Sequence, residues 1–188
     1  MFDLKEHLRS LVDAHAPSGH EAPIREIIRE SWIDYVNEYE QDKLGSLIGI
    51  KKATTPLATP RKIMLAAHMD EIGLIVTQVE KEGFARFTNI GGLQALNLSG
   101  TRVIFNNGAI GMINVEDAFH RPNIKAGYAN LYIDLGVSSR EECPIKVGDV
   151  AAFYGPSVEL GERMMAKSMD DRIGCACFPQ QCGQLFAG

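Results

Sequence analysis

The sequence predicts an α/β fold, a mixed-sheet domain interrupted by an inserted small β-barrel. Three observations carry that reading. The run Ile63-Met64-Leu65-Ala66-Ala67 has no polar face and ends in His68-Met69-Asp70, which suits a central strand covered on both sides. After Asp70, helical spacing disappears for about ninety residues and short alternating runs are punctuated by Gly and Asn. Helical texture then resumes behind a second acidic pair, Asp170-Asp171.

Composition bounds the function classes. With 188 residues, 45% of them hydrophobic, the chain can bury a core and is not disordered. A formal net charge of -5 with scattered Lys and Arg offers no basic surface for phosphates, so nucleic acid is excluded as a partner. The amino terminus, Met1-Phe2-Asp3-Leu4-Lys5-Glu6, lacks the basic and apolar blocks of a signal peptide, and no apolar run is long enough to span a bilayer. A cytoplasmic protein with no membrane partner is expected. Its four cysteines, Cys143, Cys175, Cys177 and Cys182, are then free thiols rather than disulfides.

Taken in order, Asp3 and Glu6 form a capping-box-like pair ahead of Leu4, Leu8, Leu11 and Val12 at helical spacing. The histidines on that helix, His7 and His15, read as surface or boundary residues. Ala16-Pro17-Ser18-Gly19 ends the helix. Ile24, Ile27, Ile28, Trp32 and Tyr35 mark a second one, with Pro23 in its first turn. Val36 to Glu40 and Leu47 to Lys51 alternate as strands around the turn Asp42-Lys43-Leu44-Gly45, and Ala53 to Pro60 is a solvated loop.

The β-rich stretch divides at turn residues. Ile72 to Val79 and Phe84 to Ile90 bracket Glu80-Lys81-Glu82-Gly83, while Arg102 to Phe105 and Ala109 to Val115 bracket Asn106-Asn107-Gly108, strong hairpin chemistry. Leu131 to Leu135, Val150 to Tyr154 and Arg163 to Ala166 add strands, and Glu116 to Asn130, with His120, forms a long loop. Many short strands favour a closed barrel, which removes exposed edges. The expected division is residues 1–70 and 164–188 in one domain and 71–163 in the insert.

A His-x-Asp pair at the carboxyl end of a strand sits where α/β sheets place ligands, and alternation aims residues 68 and 70 to one side. There a carboxylate can hold one imidazole nitrogen and leave the other for a metal. The bland alternative is an ordinary histidine bonded to a neighbouring acid. For Asp170-Asp171 it is the capping of a helix start.

Together these stretches resemble the co-catalytic metallo-aminopeptidases of the glutamyl, deblocking and tetrahedral type. The resemblance runs through Pro17-Ser18-Gly19-His20-Glu21, Asp42-Lys43-Leu44-Gly45-Ser46, the His68 stretch, Ile90-Gly91-Gly92, Ile133-Asp134-Leu135-Gly136, Val147-Gly148-Asp149 and Asp170-Asp171-Arg172. It implies peptide substrates and a complete site of two divalent cations, zinc or cobalt, that activate a shared water. By the same resemblance His68 is a terminal metal ligand, Asp170 bridges the metals, Asp70 orients His68 as part of the catalytic machinery, and Asp171 shapes the site without ligating. The insert becomes a dimerisation domain, and dimers assemble into larger, often twelve-subunit, particles.

The family pattern continues with a Glu-Glu pair, a further Asp and a distal His. This chain instead reads Cys175-Ala176-Cys177-Phe178-Pro179 and on to Gly188, and Pro179 is expected to break the helix. The expectation is a truncated or frameshifted member, inactive alone, with a non-catalytic assembly partner as the alternative. A hydrolase of non-peptide amides and a two-carboxylate polysaccharide hydrolase built on Asp70 and Asp171 are more distant alternatives.

Overall fold

The computed structural model describes residues 3–53, 62–116 and 127–185, with side chains through Pro179. The chain divides into two compact units, one of residues 1–16, 20–70 and 157–188, the other of residues 17–19 and 71–156.

In the first unit, α1 (Leu4–Asp13) begins at Asp3, whose side chain accepts hydrogen bonds from the Lys5 and Glu6 amides at 3.0 and 3.1 Å. This satisfies two of the amides a helix start leaves open. Its apolar stripe buries Leu11 and Val12. The second helix, α2 (Ala22–Ser31), carries Pro23 in its first turn and buries Ile24 and Ile28. Trp32 follows it and packs on Phe178 at 5.8 Å between ring centroids. The strands β1 (Glu38–Gln41) and β2 (Leu47–Ile50) pair antiparallel. Their turn is closed by Asp42, which accepts from the Leu44 and Ser46 amides at 2.9 and 2.8 Å.

Three expectations need correction. Ile63 to Ala67 forms no strand ladder among the described residues, and Ile63, Met64 and Leu65 are 70, 88 and 44% exposed. An apolar run signals a covered strand only when other strands and helices cover it, and the described residues do not. Among the described residues helices and strands together make the expected α/β class but no mixed sheet, for every ladder is antiparallel and the one parallel contact is an isolated bridge, Pro17 to Glu71. Finally, α3 (Met169–Leu185) runs through Pro179 instead of stopping there. Burial of Cys175, Ala176 and Pro179 offsets a local penalty of about 3 kcal/mol.

The second unit is a closed six-stranded barrel. In the order β3-β4-β7-β6-β5-β8 it joins β3 (Gly73–Val79), β4 (Ala85–Ile90), β5 (Arg102–Phe105), β6 (Ile110–Val115), β7 (Leu131–Asp134) and β8 (Val150–Phe153). The anticipated turns are present, with Gly108 at a φ of 85° closing the β5–β6 hairpin. Inward positions of successive strands supply one core: Leu74, Val76, Phe87, Val103, Phe105, Ile113, Leu131, Ile133 and Ala151. Gly111 faces Ile133 across the β6–β7 pair so closely that a side chain there would strike it. Arg86 donates to Glu80, Glu116 and the Ala129 and Leu131 carbonyls, tying β4 to the segments beside it. The expected strand at Arg163 lies outside the barrel. As β10 (Arg163–Met165) it pairs with β9 (Val158–Leu160) in the first unit. His120 falls outside the described residues.

Candidate metal-binding site

His68 and Asp70 belong to no strand or helix, yet their side chains meet on one side of the chain. The Asp70 carboxylate lies 3.1 Å from His68 Nδ1. From 102 residues further along, the Asp170 carboxylate approaches the other ring nitrogen, Nε2, to 3.3 Å. Asp170 reaches this place because it has not entered the helix. Ser168 has a φ of 59°, and Asp170 and Asp171 both keep non-helical backbone ahead of the regular turns of α3. The capping alternative therefore does not describe Asp170, whose side chain is 97% exposed and turned to the imidazole. Asp171 bends over the first turn instead, within 2.6 Å of where a Cβ on Gly174 would sit.

This arrangement calls for positive charge. With the Nδ1 proton given to Asp70, Nε2 presents a lone pair to a second carboxylate, and two acceptors do not attract. A proton or a cation between them resolves the conflict. Partial burial works against the charged ring, but hydrogen bonds and charge from Asp70, then from Asp170, outweigh it and raise the His68 pKa above its ordinary value.

The donors, one imidazole and one carboxylate, fit a divalent cation such as zinc or cobalt in kind. They fall short in number. Among the described residues there is no group of three or more His, Cys, Asp or Glu side chains placed to hold an ion. His7, within α1, and His15, just past its end, are half-buried, and burial lowers the His7 pKa.

One residue at the site carries no signal that residue-type reasoning uses. Arg172 is fully buried. Its Nε donates to the Met69 carbonyl at 3.0 Å, and Nη1 to the Leu11 and Ala14 carbonyls at 2.8 Å each. The only hint was a cation following two acids at a helix start.

Cys143, Cys175 and Cys177 are free. Burial, with the Asp171 charge nearby, pushes the Cys175 thiol up to about 11. At pH 8 only about one part in a thousand is thiolate, the reactive form. Iodoacetamide at that pH is expected to leave Cys175 unmodified in the native chain and to label it in denaturant, read by peptide mass mapping. Native labelling at the rate of Cys177 would contradict this burial.

No helix among the described residues is long and apolar enough to cross a membrane. Residues 45–185 match the family model described as M42 glutamyl aminopeptidase. The chain is similar to the glutamyl aminopeptidase of Lactococcus lactis, 34% identical, with 92% of this chain and 52% of that protein covered. Among solved structures, it is similar to aminopeptidase APDkam598 of Desulfurococcus kamchatkensis (34% identical, TM-score 0.85, 96% of this chain and 51% of that one). It is also similar to the Pyrococcus horikoshii TET1 peptidase, described as assembling into a tetrahedron or an octahedral shell (28%, TM-score 0.79, 98% and 57%). A Thermotoga maritima chain titled endoglucanase shares the fold as well (30%, TM-score 0.80, 94% and 54%). The chain spans about half the length of the curated relatives it matches.

Proposed function

Because the chain belongs to the M42 glutamyl aminopeptidase family, we propose that it contributes one part of a metal-dependent aminopeptidase site, with His68 and Asp170 as metal ligands and Asp70 orienting His68. The observation that carries this reading is the 3.3 Å approach of Asp170 to His68 Nε2 while Asp70 occupies Nδ1. Divalent cations, where bound to His68, Asp170 and further donors, would supply the activation of water for attack on a peptide carbonyl. The residues of this chain hold the imidazole tautomer, present Nε2 outward and supply one carboxylate. Asp70 is engaged with an imidazole, which the two-carboxylate polysaccharide mechanism does not use, so peptide hydrolysis is the better reading although one similar structure is described as an endoglucanase. The free thiols suit a reducing compartment, the cytoplasm.

The described residues supply too few donors for two cations, and in this reading the chain alone is inactive. Purified chain is expected to release no amino-terminal residue from a leucine or glutamate anilide, with or without added zinc or cobalt. It is expected to bind cobalt weakly, and His68→Ala to abolish that binding in an absorbance titration. Aminopeptidase activity of the pure chain that disappears in His68→Ala would overturn the inactivity. Unchanged cobalt binding in His68→Ala would overturn the ligand assignment.

A second reading is favoured by the barrel, which closes within this chain although the donor set among the described residues is incomplete. Here the barrel is the dimerisation module and the chain an assembly partner of longer subunits, in keeping with the assembling peptidase it is similar to. Co-purification with a longer homologue at fixed stoichiometry, without metal in the isolated chain, separates this reading from the first.

A further inference from the structure

Helix α1 has no basic residue in its last turn, yet its carboxyl-terminal carbonyls, the negative end of the helix dipole, do not lack cations. Two arrive from the far end of the sequence, one on each side of Asp170. Lys167 donates Nζ to the Ala14 carbonyl at 2.9 Å. Arg172 Nη1 donates to Leu11 and Ala14 at 2.8 Å and to Val12 at 3.4 Å. The same guanidinium sends Nε to the Met69 carbonyl at 3.0 Å, the peptide between His68 and Asp70. Cys175 Sγ lies 3.5 Å from the His68 carbonyl, one turn further along α3.

From this geometry we propose that Arg172 is a positioning residue. It fastens the His68-Met69-Asp70 segment and the Asp170 loop to one rigid anchor, the end of α1, and so sets the separation of the two proposed metal ligands. The proposal rests on the ligand reading above for its purpose but not for its geometry. A planar guanidinium can serve acceptors in two directions at once, and lysine, a single point of charge on a flexible stem, cannot. The long sequence separation explains the choice of arginine. No local hydrogen bond can hold segments 161 and 103 residues apart in register.

The test compares Arg172→Met and Arg172→Lys with Leu11→Ala, which removes a packed side chain from the same unit and leaves every carbonyl that the fork holds. Amide hydrogen exchange is read over residues 67–71, 168–174 and, as reference, α2. Arg172→Met is expected to raise exchange in both site segments together by roughly tenfold or more, beyond the change in α2. Leu11→Ala should raise all three alike. Arg172→Lys, which also serves if the methionine variant fails to fold, should keep the 168–174 segment protected and release 67–71. Cobalt affinity should drop by about 10–100-fold in Arg172→Met and by less in Leu11→Ala. Unchanged exchange over residues 67–71 in both arginine variants, or equal loss of cobalt affinity in Leu11→Ala, would overturn the proposal. Absence of cobalt binding by the parent chain would instead defeat the ligand reading, and the exchange comparison would still decide the role of Arg172.

Discussion

Truncating Ile133 to alanine is expected to destabilise the barrel by roughly 2–5 kcal/mol, the usual range for opening a cavity in a packed core. Ile133 is fully buried and sits on β7, which pairs with β4 at Ala85 and with β6 at Ile113. Its side chain also fills the space left by Gly111 on the neighbouring strand. Collapse into the cavity is restricted, because a closed barrel cannot shift one strand without breaking ladders on both of its sides. Urea unfolding followed by near-ultraviolet circular dichroism would measure the loss. A cost under about 1 kcal/mol would mean that β7 is not packed as described.

Replacing Asp70 with alanine is expected to weaken cobalt binding by about 10–100-fold, the range found when a carboxylate behind a metal-bound histidine is removed. The side chain does two things there. In the proposed ligand reading it keeps the proton on Nδ1 and leaves the Nε2 lone pair for the metal, and its charge helps raise the His68 pKa. Asp70→Asn separates them, since an amide oxygen still accepts from Nδ1 but carries no charge, and a smaller loss is expected. Both variants remove the attraction that raises the His68 pKa, so the titration midpoint of its ring protons in NMR should move down. That direction follows because a raised histidine pKa reports stabilisation of the protonated ring in the folded chain. Affinity unchanged in Asp70→Ala would remove Asp70 from the proposed site.

Much of this chain was legible wherever short-range chemistry decides the outcome. Asp3 caps α1 because its carboxylate needs only the two amides that follow it closely. The Asn106-Asn107-Gly108 turn and the alternating runs around it predict β5 and β6 because a hairpin is made by neighbours in sequence. The Ile63 to Ala67 run misled, since an apolar stretch announces what it needs and not whether that is supplied. Pro179 misled for the converse reason, because the local cost was visible and the compensating burial was not.

By itself, then, the amino-acid sequence determined the α1 cap, the turns, the strand-rich texture after Asp70 and the ordered motifs that mark the family. Only the tertiary structure decided the geometry by which His68 lies between two carboxylates, that Asp170 keeps non-helical backbone, and that Arg172 is buried among carbonyls from two segments. The physical reason is range. Caps and turns depend on atoms a few residues apart, whereas the charge balance around an imidazole and the satisfaction of a buried guanidinium depend on groups brought together across more than a hundred residues of chain.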